Sequence, residues 1–557
     1  MEIRAFTAGM LFGILTIFLS VFVISALVRS VKASKILFNI IELKQNINRE
    51  LYMNNRRRQF FLNGILLTIV GLAIRSVSIA FNSYITKTVG AEGIGLFSLI
   101  MNIYSFAITF ATSGISLTVT RLIAEAIGQG HEGECRKIMR NAVLYSLIFS
   151  ITAASVMFFF ADYFSLHFVG DERSGILLRI LSVSLVPLSL SSLISGYFVG
   201  VKRVFRNATV QVTGQIFKIL ITLWSIFTFS KRGVVYTVIA LTLSITLTEI
   251  FCFLVLFIEY QLDKKRIKFS TGKCETRFSH ITSMALPLAL SAYIRSALLT
   301  LEHTLIPKGL MKRGDTVSEA LASYGILHGM AVPMLLYPMS TLTSFAGLLV
   351  PEFAESEARC EKERMKRLAG EALGTTLVYA TVTTVMMYIF AEELGYVLYN
   401  SYYAGHYIAL MSFVIPIMYM DHVADSMLKG IGEHVYSMWV NIADALISVI
   451  LVWVLIPIMG IGGYAVVIVV MEGFNFTLSI TKLYKRIPFK INFVKSFFLP
   501  LCASVVSALA SKHLFIFSGS EAKGGWLALK VIFAVCVFLA LYTFIKKFGN
   551  GKKPLPN

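Results

Sequence analysis

Long apolar segments recur along almost the whole chain, and they constrain its fold more than any motif does. Each holds about 20 residues, which as a helix is long enough to span the roughly 30 Å hydrocarbon core of a bilayer. The chain is 56% hydrophobic and only 15% charged, and its mean hydropathy is +0.74. A chain of this composition cannot hide its apolar surface in water. We therefore predict an all-α polytopic membrane protein.

The segments form two sets of six, with one extra segment before them and two after them. The run at 6–28 predicts an N-terminal anchor helix. The basic segment 29–58 is predicted to lie on the anionic cytoplasmic leaflet. The core helices are predicted at 60–84, 94–118, 140–160, 176–200, 208–229, 234–258, 281–306, 321–349, 371–391, 406–428, 436–459, 461–484, 493–511 and 526–545.

The two sets of six resemble each other: Pro187 recurs as Pro416, and Gly200 recurs as Gly430. Because six is even, both sets insert with the same orientation, which predicts two pseudo-symmetric six-helix bundles related by an axis along the membrane normal. The predicted domains are the anchor and basic segment 1–58, the N-lobe 59–258, a basic cytoplasmic linker 259–280, the C-lobe 281–486, and the last two helices with a basic tail 487–557.

Lysines and arginines number 51 against 31 acidic residues, which gives a net charge of +20 at pH 7. Such an excess fits either nucleic-acid binding or the basic cytoplasmic loops of a membrane protein. If 29–58 is cytoplasmic and the successive loops alternate between the two sides of the membrane, most of the basic residues lie in the cytoplasm. We therefore expect an outside N-terminus, a cytoplasmic C-terminus, contacts with anionic lipids and no nucleic-acid partner.

Two stretches resemble a known family. Residues 89–126 read VGAEGIGLFSLIMNIYSFAITFATSGISLTVTRLIAEA, and residues 305–356 read LIPKGLMKRGDTVSEALASYGILHGMAVPMLLYPMSTLTSFAGLLVPEFAES. Both are similar to the stage V sporulation protein B group of polysaccharide transporters, within the multidrug/oligosaccharidyl-lipid/polysaccharide exporter superfamily. The resemblance covers about residues 60–490. It implies two six-helix bundles in a V and a lipid-linked sugar diphosphate as cargo.

Two arginines occupy equivalent, deep positions of the predicted repeats: Arg75 and Arg295, each within an Ile-Arg-Ser triplet. Intramembrane charges are costly and usually functional. With the cargo implied by the resemblance, the two guanidinium groups could pair bidentately with a diphosphate. Lys218 could add a point charge, and Arg121 could receive the headgroup on entry. The alternative is that these groups pair with acids to hold the bundle together or anchor the cytoplasmic side.

Intramembrane acids concentrate in the second half of the chain. The resemblance to lipid II flippases implies Glu302, Asn441 and Asp444 as coupling-ion ligands, because those proteins bind sodium with acids and an asparagine on the seventh and eleventh core helices. Glu302 stands where a shorter Asp is usual, which leaves sodium and proton coupling both open. His303 and His328 are treated as isolated histidines, without a ligand role.

These observations favour a secondary-active flippase for an undecaprenyl-diphosphate-linked sugar, acting by alternating access as a monomer in the bacterial cytoplasmic membrane. A multidrug or cation antiporter on the same scaffold is the alternative, although deep arginines would repel cationic drugs. A glycosyltransferase would need a large extramembrane region. No GxxxxGK[ST] phosphate loop occurs, so we predict a transporter and not an enzyme, with no cofactor and no metal centre beyond possible Na⁺ or H⁺ coupling.

The predicted topology can be tested by cysteine labelling. A cysteine placed at Asn400 should react with an impermeant maleimide added outside intact cells, because this residue is assigned to an outside loop. A cysteine at Lys362, assigned to the cytoplasm, should react only in permeabilised cells. The reverse pattern would overturn the assignment of every loop, since the sides alternate together.

Overall fold

The structure is a computed structural model that describes residues 81–128, 134–201, 203–229, 233–264, 278–514 and 524–549. Helices account for almost all of these residues, and no strand occurs among them, so the predicted all-α fold is confirmed. By length and composition, nine described helices could cross a membrane, or eleven if each of two bent pairs is one span. The anchor helix 6–28, the basic segment and most of the first core helix lie outside the described residues.

The first described helix, α1, covers 81–112, and Gly90 interrupts it with a φ of +78° that α-helical backbone does not allow. The other helices are α2 Ile115–Gly128, α3 Glu134–Phe159, α4 Ala161–Phe164, α5 Ser174–Ser182, α6 Leu185–Gly200, α7 Val204–Phe229, α8 Val234–Lys264, α9 Phe278–Arg313, α10 Val317–Tyr324, α11 Val332–Ala358, α12 Lys362–Ile389, α13 Ala391–Tyr399, α14 Tyr402–Ser412, α15 Ile415–Gly430, α16 His434–Met459, α17 Ile461–Arg486, α18 Leu499–Leu514 and α19 Gly524–Gly549. Short π-helical turns occur at Ser165–Val169, Gly325–Ala331 and Val494–Phe498.

The backbone groups into two compact units. Unit 1 contains 330–440 together with the described parts of 1–87 and 468–557. Unit 2 contains the described parts of 88–329 together with 441–467. The boundaries fall inside α1, α16, α17 and the π turn Gly325–Ala331, so these elements contribute to both units. The domain boundaries drawn from the sequence repeat stay a prediction.

The fourth helix of each predicted repeat is broken at the same place. In unit 2, α5 and α6 meet at an angle of 40° across Val183 and Ser184, and in unit 1, α14 and α15 meet at 57° across Phe413 and Val414. The spans predicted at 176–200 and 406–428 are therefore not single straight helices. A proline follows each break, Pro187 and Pro416, and lacks the N–H that would bond the carbonyl four residues earlier.

A close helix crossing also occurs twice, 230 residues apart. A Cβ on Gly200 would lie 2.9 Å from Ile123 Cβ and 3.0 Å from the Thr120 carbonyl oxygen. A Cβ on Gly430 would lie 2.8 Å from both Phe353 Cβ and the Val350 carbonyl oxygen. At these distances a side chain would push the helices apart. Each glycine thus sets the separation between the fourth helix and the second helix of its own predicted repeat.

A buried carboxylate holds the ends of three helices in unit 2. Asp263, near the end of α8, is only 1% exposed and forms an ion pair with Arg203. It also accepts a hydrogen bond from Tyr197 at 2.9 Å, and Arg206 lies 3.4 Å away. These partners come from α6, the turn after it and α7. The carboxylate therefore joins the ends of α6, α7 and α8.

The corresponding turn of unit 1 has the opposite charges. Glu433 follows Gly430 by three residues, as Arg203 follows Gly200, and it pairs with Arg486 at 2.5 Å and Lys482 at 3.3 Å near the end of α17. The hydrogen bond from Arg486 lowers the pKa of Glu433 from its usual value of 4.5, so the carboxylate is charged at neutral pH. The turn after the fourth helix carries a basic residue in unit 2 and an acidic residue in unit 1. In both units the ion pair joins this turn to the end of the sixth helix of the predicted repeat.

We expect Asp263→Asn to destabilise the protein by about 2 kcal/mol, less than the roughly 3–5 kcal/mol for a fully buried pair, because Arg203 remains partly solvated. Asp162→Asn is the matched control, since Asp162 pairs with Arg179 in an exposed geometry and its loss should cost less than about 1 kcal/mol. The measurement is the unfolding midpoint in detergent. Equal shifts for both variants would show that Asp263 is not a structural clamp.

Candidate functional site

Helix α9 carries two of the deep charges predicted for the second half, Arg295 and Glu302. Arg295 and Glu302 are seven residues apart, which is two helical turns, so they lie near one face. Their surroundings differ: Arg295 is exposed, whereas Glu302 is 7% exposed. The helix therefore presents a solvated or lipid-facing cation and a buried acid two turns apart.

Arg295 differs from Arg179 and Lys530, which lie in the spans predicted at 176–200 and 526–545. Arg179 pairs with Asp162 at 2.6 Å, and Lys530 pairs with Glu393 at 3.1 Å. No described residue forms an ion pair or a hydrogen bond with the Arg295 side chain. Among the described residues Arg295 therefore has no counter-charge, and an intramembrane charge of this kind is usually functional. Arg75 lies outside the described residues.

The remaining two predicted basic residues have acidic neighbours. Lys218 on α7 lies within electrostatic reach of Glu249 on α8, but the two form no direct ion pair within 4.0 Å. Arg121 on α2 pairs with Glu125 one turn later at 2.8 Å, and 68% of its side chain is exposed. The structure thus does not bring Lys218 or Arg121 into contact with Arg295.

The predicted acidic residues converge within unit 2. The Glu302 carboxyl interacts with the Ser448 hydroxyl and, through its charge, with the Asp444 carboxyl. Asn441, Asp444 and Ser448 follow each other on α16 at spacings of three and four residues, so they share one helix face. Two carboxyls and nearby neutral oxygens are the ligand types that hard monovalent cations and protons require.

An aromatic and histidine cluster adjoins Glu302, and the sequence analysis missed it. The rings of His303 and His328 lie 4.3 Å apart, and His328 stacks on Tyr324 at 5.1 Å. Tyr464 is 6.3 Å from His303. The interpretation of His303 and His328 as isolated residues is therefore wrong. Spacing gives no signal for this pair, because the π turn Gly325–Ala331 brings the two rings together.

A hydrogen bond links this cluster to α1. Asn102 donates from its amide to the Tyr324 hydroxyl at 2.9 Å. The backbone carbonyl of Asn102 accepts from the Thr300 hydroxyl at 3.1 Å. Tyr324 also interacts electrostatically with Glu302. A helix of the first predicted repeat thus contacts, through one asparagine, both α9 and α10 beside the acidic site.

Comparison with known proteins identifies the scaffold. The family model described as polysaccharide biosynthesis protein matches residues 60–357, more than half of the chain. The chain belongs to this family. The MatE family model matches residues 314–454. The polysaccharide biosynthesis match includes α9 with Arg295 and Glu302, and the MatE match includes the part of α16 that carries Asn441 and Asp444.

This member of the polysaccharide biosynthesis family has a full-length relative. Stage V sporulation protein B of Bacillus subtilis (strain 168) is 25% identical over 512 residues, which cover 89% of this chain and 98% of that protein. The resemblance indicated by residues 89–126 and 305–356 is thereby confirmed.

Two solved structures share the fold of this family member. The lipid II flippase MurJ, in an inward closed conformation, superimposes with a TM-score of 0.66 at 14% identity, covering 87% of this chain and 99% of that one. An inward-facing MATE multidrug resistance transporter of the MOP superfamily superimposes with a TM-score of 0.58 at 15% identity, covering 73% and 94%. At these identities the likeness shows the fold.

If the acids on α9 and α16 bind a cation, sodium should stabilise the purified protein. Replacing choline chloride by sodium chloride should raise the unfolding midpoint. At a sodium concentration a hundredfold above the dissociation constant, the free energy of unfolding should rise by about 2.7 kcal/mol. Glu302→Gln and Asp444→Asn should each abolish the rise, whereas the exposed Glu392→Gln should keep it. A rise that survives both site variants would place sodium binding elsewhere.

Proposed function

We propose that the protein is a secondary-active flippase that moves an undecaprenyl-diphosphate-linked sugar from the inner to the outer leaflet by alternating access. The observation that carries this proposal is Arg295, an exposed guanidinium within the predicted seventh core helix with no described internal partner. Membership in the polysaccharide biosynthesis family supports it. So do the names of the relatives, a sporulation protein and a lipid II flippase.

The guanidinium of Arg295 favours a cargo with a diphosphate headgroup. A diphosphate needs fixed positive charge at physiological pH, and a planar guanidinium can pair with two phosphate oxygens at once. Arg75, at the equivalent position of the first predicted repeat, is proposed as the second cation on the same headgroup. Lys218 is a weaker ligand candidate, because Glu249 already neutralises part of its charge. Arg121 is proposed as an exposed entry contact that can exchange Glu125 for phosphate.

The energy source is proposed to be a sodium or proton gradient. Glu302, Asn441 and Asp444 provide carboxyl and amide oxygens, and Glu302 and Asp444 lie within electrostatic reach of each other. Two nearby carboxylates in a membrane repel each other unless a cation or a proton joins them. Occupation of this site would therefore change the balance of charge directly beside Tyr324 and Asn102.

The multidrug antiporter remains the second candidate, and the MatE match and the MATE structure favour it. Its cargo would be cationic, so the exposed Arg295 would oppose binding. The two candidates therefore predict opposite effects of removing this charge. We further propose that the protein acts as a monomer in the bacterial cytoplasmic membrane, in contact with anionic lipids and with its N-terminus outside.

We expect Arg295→Ala to slow flipping of a fluorescent undecaprenyl-diphosphate-linked disaccharide in liposomes by about 10–100-fold, the loss typical of a charge-assisted hydrogen bond. Arg295→Lys should lose less, because the ammonium keeps the charge but not the bidentate geometry. Adding Arg75→Ala should cost less than the sum of the single effects, since both cations bind one headgroup. Folded protein is quantified beside each rate.

Arg179→Ala is the matched control, because it removes an arginine that already pairs with Asp162. It should flip the lipid at the parent rate. Normal flipping by a folded Arg75→Ala, Arg295→Ala variant would refute the headgroup role. Faster export of a cationic dye by Arg295→Ala would instead support the antiporter.

A further inference from the structure

Within unit 2, two helical segments cross with their backbones in contact. One is the part of α1 after Gly90, and the other is α10 with the π turn that follows it. A Cβ on Gly95 would overlap the carbonyl oxygen of Leu321, and a Cβ on Gly325 would overlap that of Ala91. Both obstacles are backbone atoms, which cannot rotate away. The two helices therefore touch here only because neither has a side chain at the crossing.

The contact continues by one turn along both helices. A Cβ on Gly329 would overlap Cγ2 of Ile94 and lie 3.4 Å from the Ser98 hydroxyl. Ile94 and Gly95 are buried, and Ser98 is partly exposed. In the predicted topology, α1 enters the membrane from the outside after Gly90, so Ser98 lies one turn deeper than Gly95. The crossing leaves no space for a solute to pass between α1 and α10.

Polar contacts hold the predicted outer end of this crossing. Glu92 accepts hydrogen bonds from Arg173 at 3.1 Å and from Ser318, the second residue of α10, at 2.9 Å. Arg173 is held in turn by Asp171 at 2.6 Å. The Glu92 and Arg173 side chains are 32% and 43% exposed. An ion pair with this exposure contributes roughly 1 kcal/mol or less, so it can open and close reversibly.

The deeper end of the crossing meets the acidic site. Two turns below Gly95, Asn102 donates to the Tyr324 hydroxyl, and the Tyr324 ring lies 6.1 Å from that of His303, the residue next to Glu302. One residue after Tyr324, Gly325 begins the π turn that forms the rest of the crossing. Such turns have irregular hydrogen bonding and often occur at functional sites. A change at Glu302 can thus reach the crossing through a single aromatic residue.

We propose that the crossing of α1 with α10 is the outer gate of this transporter, and that the Asn102–Tyr324 hydrogen bond couples the gate to the cation site at Glu302. The coupling rests on the proposed function, because it assigns Glu302 a coupling ion. Gly95 and Gly325 allow the gate to shut, and Glu92 with Arg173 and Ser318 holds it shut. Tyr324 is a positioning residue, which transmits a change at the acidic site to α1 through its hydrogen bond with Asn102.

The gate is tested with a cysteine at the deeper edge of the crossing. Ser98→Cys in intact cells should react slowly with an impermeant maleimide, with the chain lacking this cysteine as background. Adding Gly95→Ala should accelerate the reaction about tenfold, which corresponds to a shift of about 1.4 kcal/mol toward the open gate. Gly473→Ala is the matched control, since a Cβ there meets nothing within 4 Å. It should leave the rate unchanged.

Gly329→Ala provides a milder variant in case Gly95→Ala does not fold, because its Cβ meets the movable end of Ile94. It should give an intermediate rate. Size-exclusion profiles identify folded protein. The gate is refuted if Ser98→Cys already reacts as fast as a cysteine at Asn400, or if folded Gly95→Ala and Gly329→Ala both react at the parent rate.

The coupling is tested by the ion response of the same reporter. Exchanging sodium for choline, or changing the pH, should alter the Ser98→Cys labelling rate about threefold or more, equivalent to about 0.7 kcal/mol. Tyr324→Phe removes the hydroxyl but keeps the ring, and it should abolish the response as Glu302→Gln does. Gly473→Ala should retain it. A full response in Tyr324→Phe, or no response in the parent, would refute the coupling.

This assay contains no lipid-linked substrate, so its outcome is separate from that of the flipping assay. If the gate opens in Gly95→Ala but the parent protein does not flip the lipid, the gate proposal stands and the proposed cargo is refuted. If the parent flips the lipid normally but the Ser98→Cys labelling rate does not respond to ions, the proposed cargo stands and the coupling is refuted.

Discussion

A bilayer forces each ionised side chain to find a counter-charge, a wet cavity or a path to the interface, and this requirement organises the protein. Arg179 and Lys530 each find an acid, and Lys218 lies within reach of one. Glu302 is buried beside Asp444 and Ser448. Arg295 is exposed and has no counter-charge among the described residues. In the proposed function, a cargo anion would compensate Arg295, and a coupling ion would compensate Glu302 and Asp444.

Close helix contact is the second constraint, because helices surrounded by lipid gain little from the hydrophobic effect and rely on packing. Gly200 and Gly430 set equivalent crossings inside each predicted repeat. Gly95 and Gly325 set a crossing between helices of different repeats. A crossing within a repeat can stay fixed while a transporter works. In the proposed alternating access a crossing between repeats has to separate, and the partly exposed ion pair at its outer end is weak enough to allow this.

The acidic site and the crossing of α1 with α10 are neighbours, so the proposed mechanism needs few residues to connect them. Tyr324 lies between the proposed cation site and α1, since its ring is 6.1 Å from that of His303, next to Glu302, and its hydroxyl accepts from Asn102. Asn102 makes hydrogen bonds to both Tyr324 and Thr300 of the second predicted repeat, and the Tyr324 hydroxyl is the partner on α10. His303 and His328 pack against the same tyrosine and restrict its position.

The sequence by itself determined the class of protein, the helical fold and most of the candidate charges, because apolar length and intramembrane charge are properties of single segments. It also contained Pro187 and Pro416, although the breaks that precede them were not predicted. Only the tertiary structure decided which segments meet. Glu302 and Asp444 are far apart in the chain, as are Asn102 and Tyr324, and the two histidines converge through a π turn. Hydropathy cannot encode such contacts, since lipid and protein neighbours are equally apolar and only side-chain shape and hydrogen bonds distinguish one from the other.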